Sequence, residues 1–180
     1  ARRHEEYEIS VSITDVDAAV PQHTAVDAYY QRQPVSLYRP DNRVAHALPP
    51  ALSTDACSLR AGKPRPVLSV HFRVRDDGAL IASPRIARET ICSQAQLTYT
   101  EANALLEDRA PPRDMLERST VRSSDVVAWR ALWPVFGAVL RRWMARVPAL
   151  QLQGADAAHR AVEFLMIKAN EHVARALMTA

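Results

Sequence analysis

The sequence predicts an α+β fold, in which antiparallel strands of the N-terminal half pack against long helices of the C-terminal half. Apolar and polar residues alternate in 7–14 and again in 67–75, which is the period of a half-buried strand. Apolar residues recur at helical spacing in 124–146 and in 155–178. Because the strands come first and the helices follow, we expect one domain, spanning 1–180, with an antiparallel sheet.

The segment between the two alternating stretches has shorter signals. Thr24 can cap a helix that ends near Gln33, and the residues 35–38 indicate a short strand. Residues 43–65 include the pair Pro49-Pro50, so we expect an ordered loop there with at most one helical turn.

A hairpin follows the second alternating stretch. Asp76-Asp77-Gly78 is typical of a tight turn between two strands. The return strand should begin at Leu80, continue to Ile86 and reach about Ile91, so the predicted strands occupy about 7–91.

The predicted helices occupy about 100–178. Thr100 can cap a helix that ends near Leu106, a short helix can follow Pro111-Pro112, and Pro134 can kink the first long helix. Gly154 marks the turn between the two long helices. The residues expected to face the core are Val127, Leu132, Val135, Val139 and Trp143 in the first long helix, and Val162, Leu165, Met166, Ala169 and Val173 in the second.

The composition is that of an ordinary globular protein. Hydrophobic residues make up 48% and charged residues 24%, and no apolar run approaches the ~18 residues that a membrane helix needs. The net charge of +3 is too mild to indicate a nucleic-acid partner, and codon bias is the favoured explanation for a basic set that is all arginine except Lys63 and Lys168. Cys57 and Cys92 form no CxxC pair, so we expect no disulfide framework and a reducing cytoplasmic location.

Few residue patterns point to catalysis. The sequence contains no GxSxG, Walker A or GxGxxG motif, and its 6 histidines form no HxH or HxxxH pair, so a zinc site is not expected. Asp15 and Asp17 form a D-x-D pair that could hold a metal ion or could form a hydrogen-bonded turn. The turn is favoured because no third carboxylate lies nearby in the sequence.

A basic loop and several tyrosines are the candidates for binding. Arg60, Lys63 and Arg65 lie in CSLRAGKPRP, which can grip a phosphate backbone or can be a solvated surface loop. Tyrosines can stack on bases but more often pack in a core. Those considered are Tyr29, Tyr30, Tyr38 and Tyr99.

Four segments follow one pattern in order along the chain. ISVSITDVDAAV is similar to VAIADVSxYV, and LYRPDNRVAHALPPALSTDACSLRAGKPRPVLSVHFRV contains LP, LS and CSL at the expected places. SQAQLTYTEANALL is similar to SxAxLTYxxVxxxL, and HRAVEFLMIKANEHVARAL to xxxVEExMxxANxxxAxxx. Together these segments resemble the catalytic (RNB) domain of the ribonuclease II / ribonuclease R family of 3′→5′ exoribonucleases. The stretch 107–154 matches only as helix.

The resemblance implies a monomeric, Mg²⁺-dependent enzyme that hydrolyses single-stranded RNA to nucleoside monophosphates. It implies that Tyr38 stacks on the 3′-terminal base and that Tyr99 and Glu163 contact the ribose and discriminate RNA from DNA. A 2′-hydroxyl both donates and accepts, so a phenol and a carboxylate suit it. Arg60 and Arg65 correspond to a loop near the RNA channel.

The sequence departs from the family pattern at the metal site. The family's D-x-D-D-A run would precede the first strand, and its S-P-I-R-R-Y element would follow the last helix. Leu152 is the nearest residue to an aromatic base clamp of the family. The resemblance therefore places no catalytic residue and no metal ligand in this chain. We expect a fragment of a larger domain. The alternatives are a degenerate member that only binds RNA, and a structural domain without a nucleic-acid partner.

We expect the chain as given not to hydrolyse RNA, because the family's metal ligands fall outside it. A 3′-labelled oligoribonucleotide incubated with the pure chain and Mg²⁺ should keep its label on a denaturing gel, as it does with EDTA. Metal-dependent loss of the label would contradict this expectation.

Overall fold

The computed structural model describes residues 4–32, 34–39, 41, 44–110, 113–147 and 156–179. The predicted Gly154 turn lies outside these residues. Strands precede the long helices, which confirms the predicted α+β order. The elements are β1 (Glu6–Thr14), α1 (Val16–Ala19), α2 (Ala25–Arg32), β2 (Leu37–Tyr38), β3 (Val44–Ala45), a π-helical turn (Ala51–Ala56), β4 (Pro64–Arg75), β5 (Arg85–Cys92), α3 (Tyr99–Leu106), α4 (Arg113–Glu117), α5 (Val126–Ala145) and α6 (Ala157–Thr179).

An antiparallel sheet of order β1-β4-β5 forms one layer of the fold. The first predicted strand is confirmed, and β4 begins three residues before its predicted start, at Pro64 rather than Val67. Proline is tolerated there because β1 has already ended, with Thr14 opposite Val67. The carbonyl of Pro66 points to the β1 side, where it accepts a hydrogen bond from the amide of Asp15 at 3.0 Å.

The return strand of the hairpin begins later than predicted, at Arg85 rather than Leu80. Leu80 forms only an isolated bridge to Val74, and pairing resumes where Arg85 lies opposite His71. Residues 81–84 therefore stand opposite residues 72–73, which is a bulge. Pro84 has no N–H to donate, so it interrupts the ladder between the two pairing points.

The turn at Gly78 packs directly on α5. Gly78 has a φ of +81°, and a Cβ there would lie 2.4 Å from the backbone of Arg142 and of Trp143. Arg142 Nη1 donates to the carbonyl of Asp76 at 2.8 Å, and Arg146 Nε donates to the carbonyl of Asp77 at 3.1 Å. The turn is thus bound to the C-terminal part of α5, and only glycine fits at the contact.

The core lies between the sheet and the two long helices. Phe72 of β4 packs on Trp143 of α5 with ring centroids 5.1 Å apart, and Trp143 packs edge-on against Phe164 of α6 at 5.0 Å. All three side chains are buried, and Phe164 is 0% exposed. The buried residues that surround them are Ile9, Val70, Val74, Val139, Leu140, Ala161 and Ala169.

The predicted core faces of both long helices are partly wrong. Val127 and Leu132 are 80% and 64% exposed, so their side of the N-terminal half of α5 faces away from the core. Val162 and Met166 are also exposed. The residues of α6 that are buried are Ala158, Ala161, Phe164 and Ala169, so the contact face is rotated towards small side chains that the sequence pattern underrated.

Helix α3 begins two residues earlier than the predicted cap implies. Thr98, not Thr100, is its N-cap, and Thr98 and Glu101 form a reciprocal capping box. The predicted cap of α2 is confirmed, since Thr24 Oγ1 accepts from the amide of Asp27 at 3.2 Å. Helix α1 and strand β3 were not predicted, because each is too short to show a period. Among the described helices, none has the length and apolar character required to cross a membrane.

Asp156 caps the N-terminus of α6. Its Oδ1 accepts from the amide of His159 at 2.9 Å, and the His159 ring lies 2.9 Å from both carboxylate oxygens. The backbone N–H and then the ring of His159 hold the pKa of Asp156 at about 2, below its ordinary value of 3.8. A carboxyl group with a lowered folded-state pKa stabilises the fold above its unfolded pKa, and this stabilisation is lost as the pH falls.

We expect Gly78→Ala to lower the free energy of unfolding by about 2–5 kcal/mol, because the methyl group adds both backbone strain and a backbone clash. Urea denaturation followed by circular dichroism measures this change. Gly137→Ala is the matched control. It lies inside α5, and its added methyl group would meet the flexible ends of Arg141 and Leu106 at 3.2 Å. A change of less than about 1 kcal/mol is expected there. Equal effects at both glycines would contradict the role given to the Gly78 contact.

We expect Asp156→Asn to be less stable than the wild type at neutral pH, with a difference that shrinks as the pH falls from 4 to 2. Asparagine keeps the helix cap but loses the charge that faces His159. Below the folded-state pKa of about 2 the wild-type carboxyl is also neutral. Urea denaturation at several pH values measures the difference in unfolding free energy. A difference that does not change with pH would contradict the lowered pKa of Asp156.

Candidate nucleic-acid interface

The first residue of α3, Tyr99, presents its phenol at the surface beside α6. Its ring is stacked on the imidazole of His159, with centroids 3.6 Å apart and planes 12° from parallel. Tyr99 is 45% exposed, and within the described part of the chain its hydroxyl has no hydrogen-bond partner. The ring is therefore fixed on one face while the hydroxyl stays available to a ligand.

The imidazole of His159 is itself held in place. Its Nδ1 lies 2.9 Å from Oδ1 and 2.9 Å from Oδ2 of Asp156, the residue that caps α6. The carboxylate favours the Nδ1–H form of the ring, since only that form can donate. The stacked ring of Tyr99 is thus connected to the backbone of α6 through two side chains.

Asn103 joins the same two helices one turn further along α3. Its Oδ1 accepts from the amide of Ala158 at 2.9 Å, and its side chain is one of the groups that lower the pKa of Asp156. Tyr99 and Asn103 are four residues apart, so they lie on one face of α3. This face meets the first turn of α6.

Glu163 lies one turn beyond His159 on α6, so the two side chains share a helix face. Its Oε2 is buried and has no hydrogen-bond partner among the described residues. A buried carboxylate oxygen without a donor is unfavourable, and such atoms in native proteins usually have a water, an ion or a ligand as their donor. Glu163 can therefore accept a hydrogen bond from a hydroxyl group that reaches it.

Of the five predicted site residues, Tyr99 contacts His159 in the first turn of α6, and Glu163 follows His159 one turn further along the same helix. One presents a hydroxyl and the other an acceptor oxygen. That combination suits a ligand group that donates and accepts at once, which is the chemistry of a sugar hydroxyl. Contact with a ribose stays a prediction for both residues.

Arg60 and Arg65 bind the chain itself. Arg60 Nη2 donates to the carbonyl of Thr54 at 2.8 Å, and Arg65 donates to the carbonyls of Ser58 and Asp55 at 3.2 Å and 3.1 Å. Both side chains fasten the π-helical turn, and the Arg65 side chain is only 20% exposed. Arg60 is 49% exposed and so has more freedom to reach a phosphate. RNA contact stays a prediction for both.

Tyr38 lies in the two-stranded sheet, where it pairs with Val44. Its side chain is outside the described part of the structure, so its predicted stacking on a base stays a prediction.

The carboxylates of Asp15 and Asp17 share one cation. Arg88 Nε lies 3.4 Å from Asp15 Oδ2, and Arg88 Nη2 lies 3.0 Å from Asp17 Oδ2. A guanidinium between the two carboxylates occupies the place that a metal ion would need. Over the described ranges, no group of three or more histidine, cysteine, aspartate or glutamate residues converges as metal ligands do.

Sequence reasoning missed three residues of this interface, namely Asn103, Asp156 and His159. A local signal existed for two of them. In DAAH, an aspartate precedes a helix and a histidine follows at the third helical position, which is the spacing of a side-chain cap. Nothing local indicated that the histidine would lie against Tyr99, because the two residues meet only when α3 and α6 pack.

The chain matches the family model of the RNB domain over residues 1–180. It is 31% identical over 180 residues to the 3′-5′ exoribonuclease HELZ2 of Mus musculus, covering 96% of this chain and 6% of that protein. It is 33% identical over 177 residues to ribonuclease R of Chlamydia muridarum, covering 93% of this chain and 25% of that protein. The chain therefore spans a quarter or less of the length of these relatives.

A solved structure shares the fold. The ribonuclease R of Mycoplasma genitalium, in complex with ribose-methylated single-stranded RNA, superposes with a TM-score of 0.76 at 21% identity. The likeness covers 96% of this chain and 28% of that one. Because the family model matches residues 1–180, the chain belongs to the RNB domain family.

Proposed function

We propose that this chain is part of a 3′→5′ exoribonuclease that hydrolyses single-stranded RNA to nucleoside monophosphates, and that it supplies the ribose-binding wall of the active site. The observation that supports this most is that α6 carries both the His159 ring on which the Tyr99 phenol is stacked and, one turn further, the unpartnered buried oxygen of Glu163. Membership of the RNB domain family and relatives named as exoribonucleases support the same reading.

A 2′-hydroxyl suits the two groups because it can donate to a carboxylate and accept from a phenol. Deoxyribose lacks this hydroxyl and would leave the oxygen of Glu163 without a donor. An unpaired buried polar group is a strong basis for discrimination, since the wrong ligand fails to relieve it. A site formed by Tyr99 and Glu163 should therefore bind RNA more tightly than DNA.

Mg²⁺ is part of the proposal for the whole enzyme, but the described residues do not fit a Mg²⁺ site. The nearest acidic pair, Asp15 and Asp17, is bridged by Arg88. We therefore assign no step of the hydrolysis to these residues. The proposed role of Tyr99 and Glu163 is to bind and orient the sugar next to the scissile phosphate.

A non-catalytic RNA-binding module is the second candidate. It is favoured by the finding that no cluster of metal-ligating side chains exists within the described ranges. This module would bind RNA through the same wall and release no nucleotide.

We also propose a monomer in a reducing, cytoplasmic compartment. Cys57 and Cys92 are both free thiols, which supports a reducing environment. Single-stranded RNA is the proposed partner, and no membrane partner is proposed.

We expect the chain to bind a fluorescent single-stranded RNA more tightly than DNA of the same sequence, and Glu163→Gln to weaken RNA binding by about 10-fold or more. The reason is that a hydrogen bond to a charged group contributes about 1.5–3 kcal/mol. Tyr99→Phe removes a neutral hydroxyl and should weaken RNA binding by about 2–10-fold. DNA binding should change little in either variant, as measured by fluorescence anisotropy at low salt.

Glu107→Gln is the matched control for the loss of one negative charge. Glu107 is exposed at the end of α3, where it pairs with Arg109 at 2.6 Å. It should leave the RNA-to-DNA preference unchanged. Equal binding of RNA and DNA by the wild type, or an equal loss of both in Glu163→Gln, would overturn the ribose-binding proposal.

A further inference from the structure

The Tyr99–His159 stack has a geometry that constrains the phenol. An exposed tyrosine can turn about its side-chain bonds, so a ligand that binds its hydroxyl in one orientation must offset the loss of side-chain conformational entropy. Here one face of the ring is covered at 3.6 Å by a nearly parallel imidazole. Stacked aromatic pairs are attractive beyond the area that they bury. The stack therefore holds the phenol in one plane before any ligand arrives.

His159 is suited to this task because it is fixed from the other side. Asp156 contacts its Nδ1 through both carboxylate oxygens, and the same carboxylate caps the helix through the amide of His159. The imidazole is thus attached to the first turn of α6 at two points. Asn103 ties that turn to α3, the helix on which Tyr99 lies.

One helix then determines the position of both groups that face the ligand. Glu163 is on α6 itself, and Tyr99 is held against α6 by His159. The separation between the phenol hydroxyl and the carboxylate oxygen is therefore determined by α6 rather than by the mobility of an exposed side chain. A group that binds between them meets a donor and an acceptor at a fixed spacing, which is how preorganised sites gain selectivity.

We propose that His159 is a positioning residue for sugar recognition, which orients the Tyr99 phenol towards the ribose beside Glu163 and thereby contributes to the preference for RNA over DNA. This inference rests on the proposed function, because it assigns His159 to the same ribose-binding wall. His159 acts through its ring face and touches no reacting atom.

Two substitutions of similar size separate stacking from bulk. In His159→Phe the ring stays and should still stack on Tyr99, whereas in His159→Leu the flat surface is lost. The matched control is His172→Leu, on the same helix, where no ring contact exists within the described residues. Anisotropy with fluorescent RNA and DNA of one sequence gives the affinity ratio for each variant. Proton NMR of the Tyr99 ring reports the stack itself through the upfield shift that a parallel neighbouring ring causes.

We expect His159→Leu to lower the RNA-to-DNA affinity ratio by about 3–10-fold, the size of one aromatic pair. His159→Phe should stay within about twofold of the wild type, and His172→Leu should not change the ratio. The upfield shift of Tyr99 should be lost in His159→Leu alone. Because His159 is exposed, circular dichroism should show all variants folded.

Failure of the positioning role and failure of ribose binding give different results. A ratio in His159→Leu equal to that of the wild type, or equal losses in the leucine and phenylalanine variants, would refute the positioning role while leaving ribose binding intact. A wild type that shows no preference for RNA, with the Tyr99 stack visible by NMR, would refute the proposed function and the inference with it. If His159→Leu were unfolded, the phenylalanine variant would decide, since loss of preference there in a folded protein would refute the role of the stack.

Discussion

The aromatic contact of Phe72, Trp143 and Phe164 joins the sheet to both long helices, and the packing of α5 and α6 on the sheet depends on it. Each of the three rings comes from a different element: β4, α5 and α6. Such rings bury large areas, and their tilted and edge-on arrangement has a preferred geometry that a cluster of aliphatic side chains lacks. The contact therefore fixes the rotation of the two long helices about their own axes as well as their distance from the sheet.

The rotation of α6 decides what the candidate site can be. Phe164 is fully buried, so its neighbour Glu163 must lie about 100° around the helix, at the margin of the core rather than within it. His159, one turn earlier than Glu163, then faces the start of α3 and reaches Tyr99. The Gly78 turn in addition fastens α5 through the backbone carbonyls of Asp76 and Asp77. The interface is thus a consequence of how the core is packed.

The sequence predicted most of the fold where burial is one-sided. Strand β1 has one face in the core, and its alternation revealed it. Strand β4 is central and is buried on both faces around Ser69 and Phe72, but its polar and apolar residues still alternate in the sequence. The stripe of α5 was misjudged at Val127 and Leu132 because periodicity records an apolar face but not whether another element covers it. The late start of β5 followed from the bulge beside Pro84, which depends on pairing with a distant strand.

The site was predictable only where a linear motif existed. Tyr99 and Glu163 were identified by resemblance, and the packing of α3 on α6 brings them to the same region. Asn103, Asp156 and His159 join that region through contacts between residues more than fifty positions apart, and no local pattern encodes such a meeting. Arg60 and Arg65 show the opposite case. Their basic loop suggested phosphate binding, but in the structure both side chains donate hydrogen bonds to backbone carbonyls of the same segment.

The unpartnered oxygen of Glu163 has a consequence for how the protein responds to its ligand. A buried acceptor such as Glu163 Oε2 is unfavourable unless a water, an ion or a ligand supplies its donor. A ligand that binds this oxygen only in the folded state links binding to folding thermodynamically. Under the proposed function, a ribose bound at Glu163 would therefore raise the thermal stability of the α3–α6 contact.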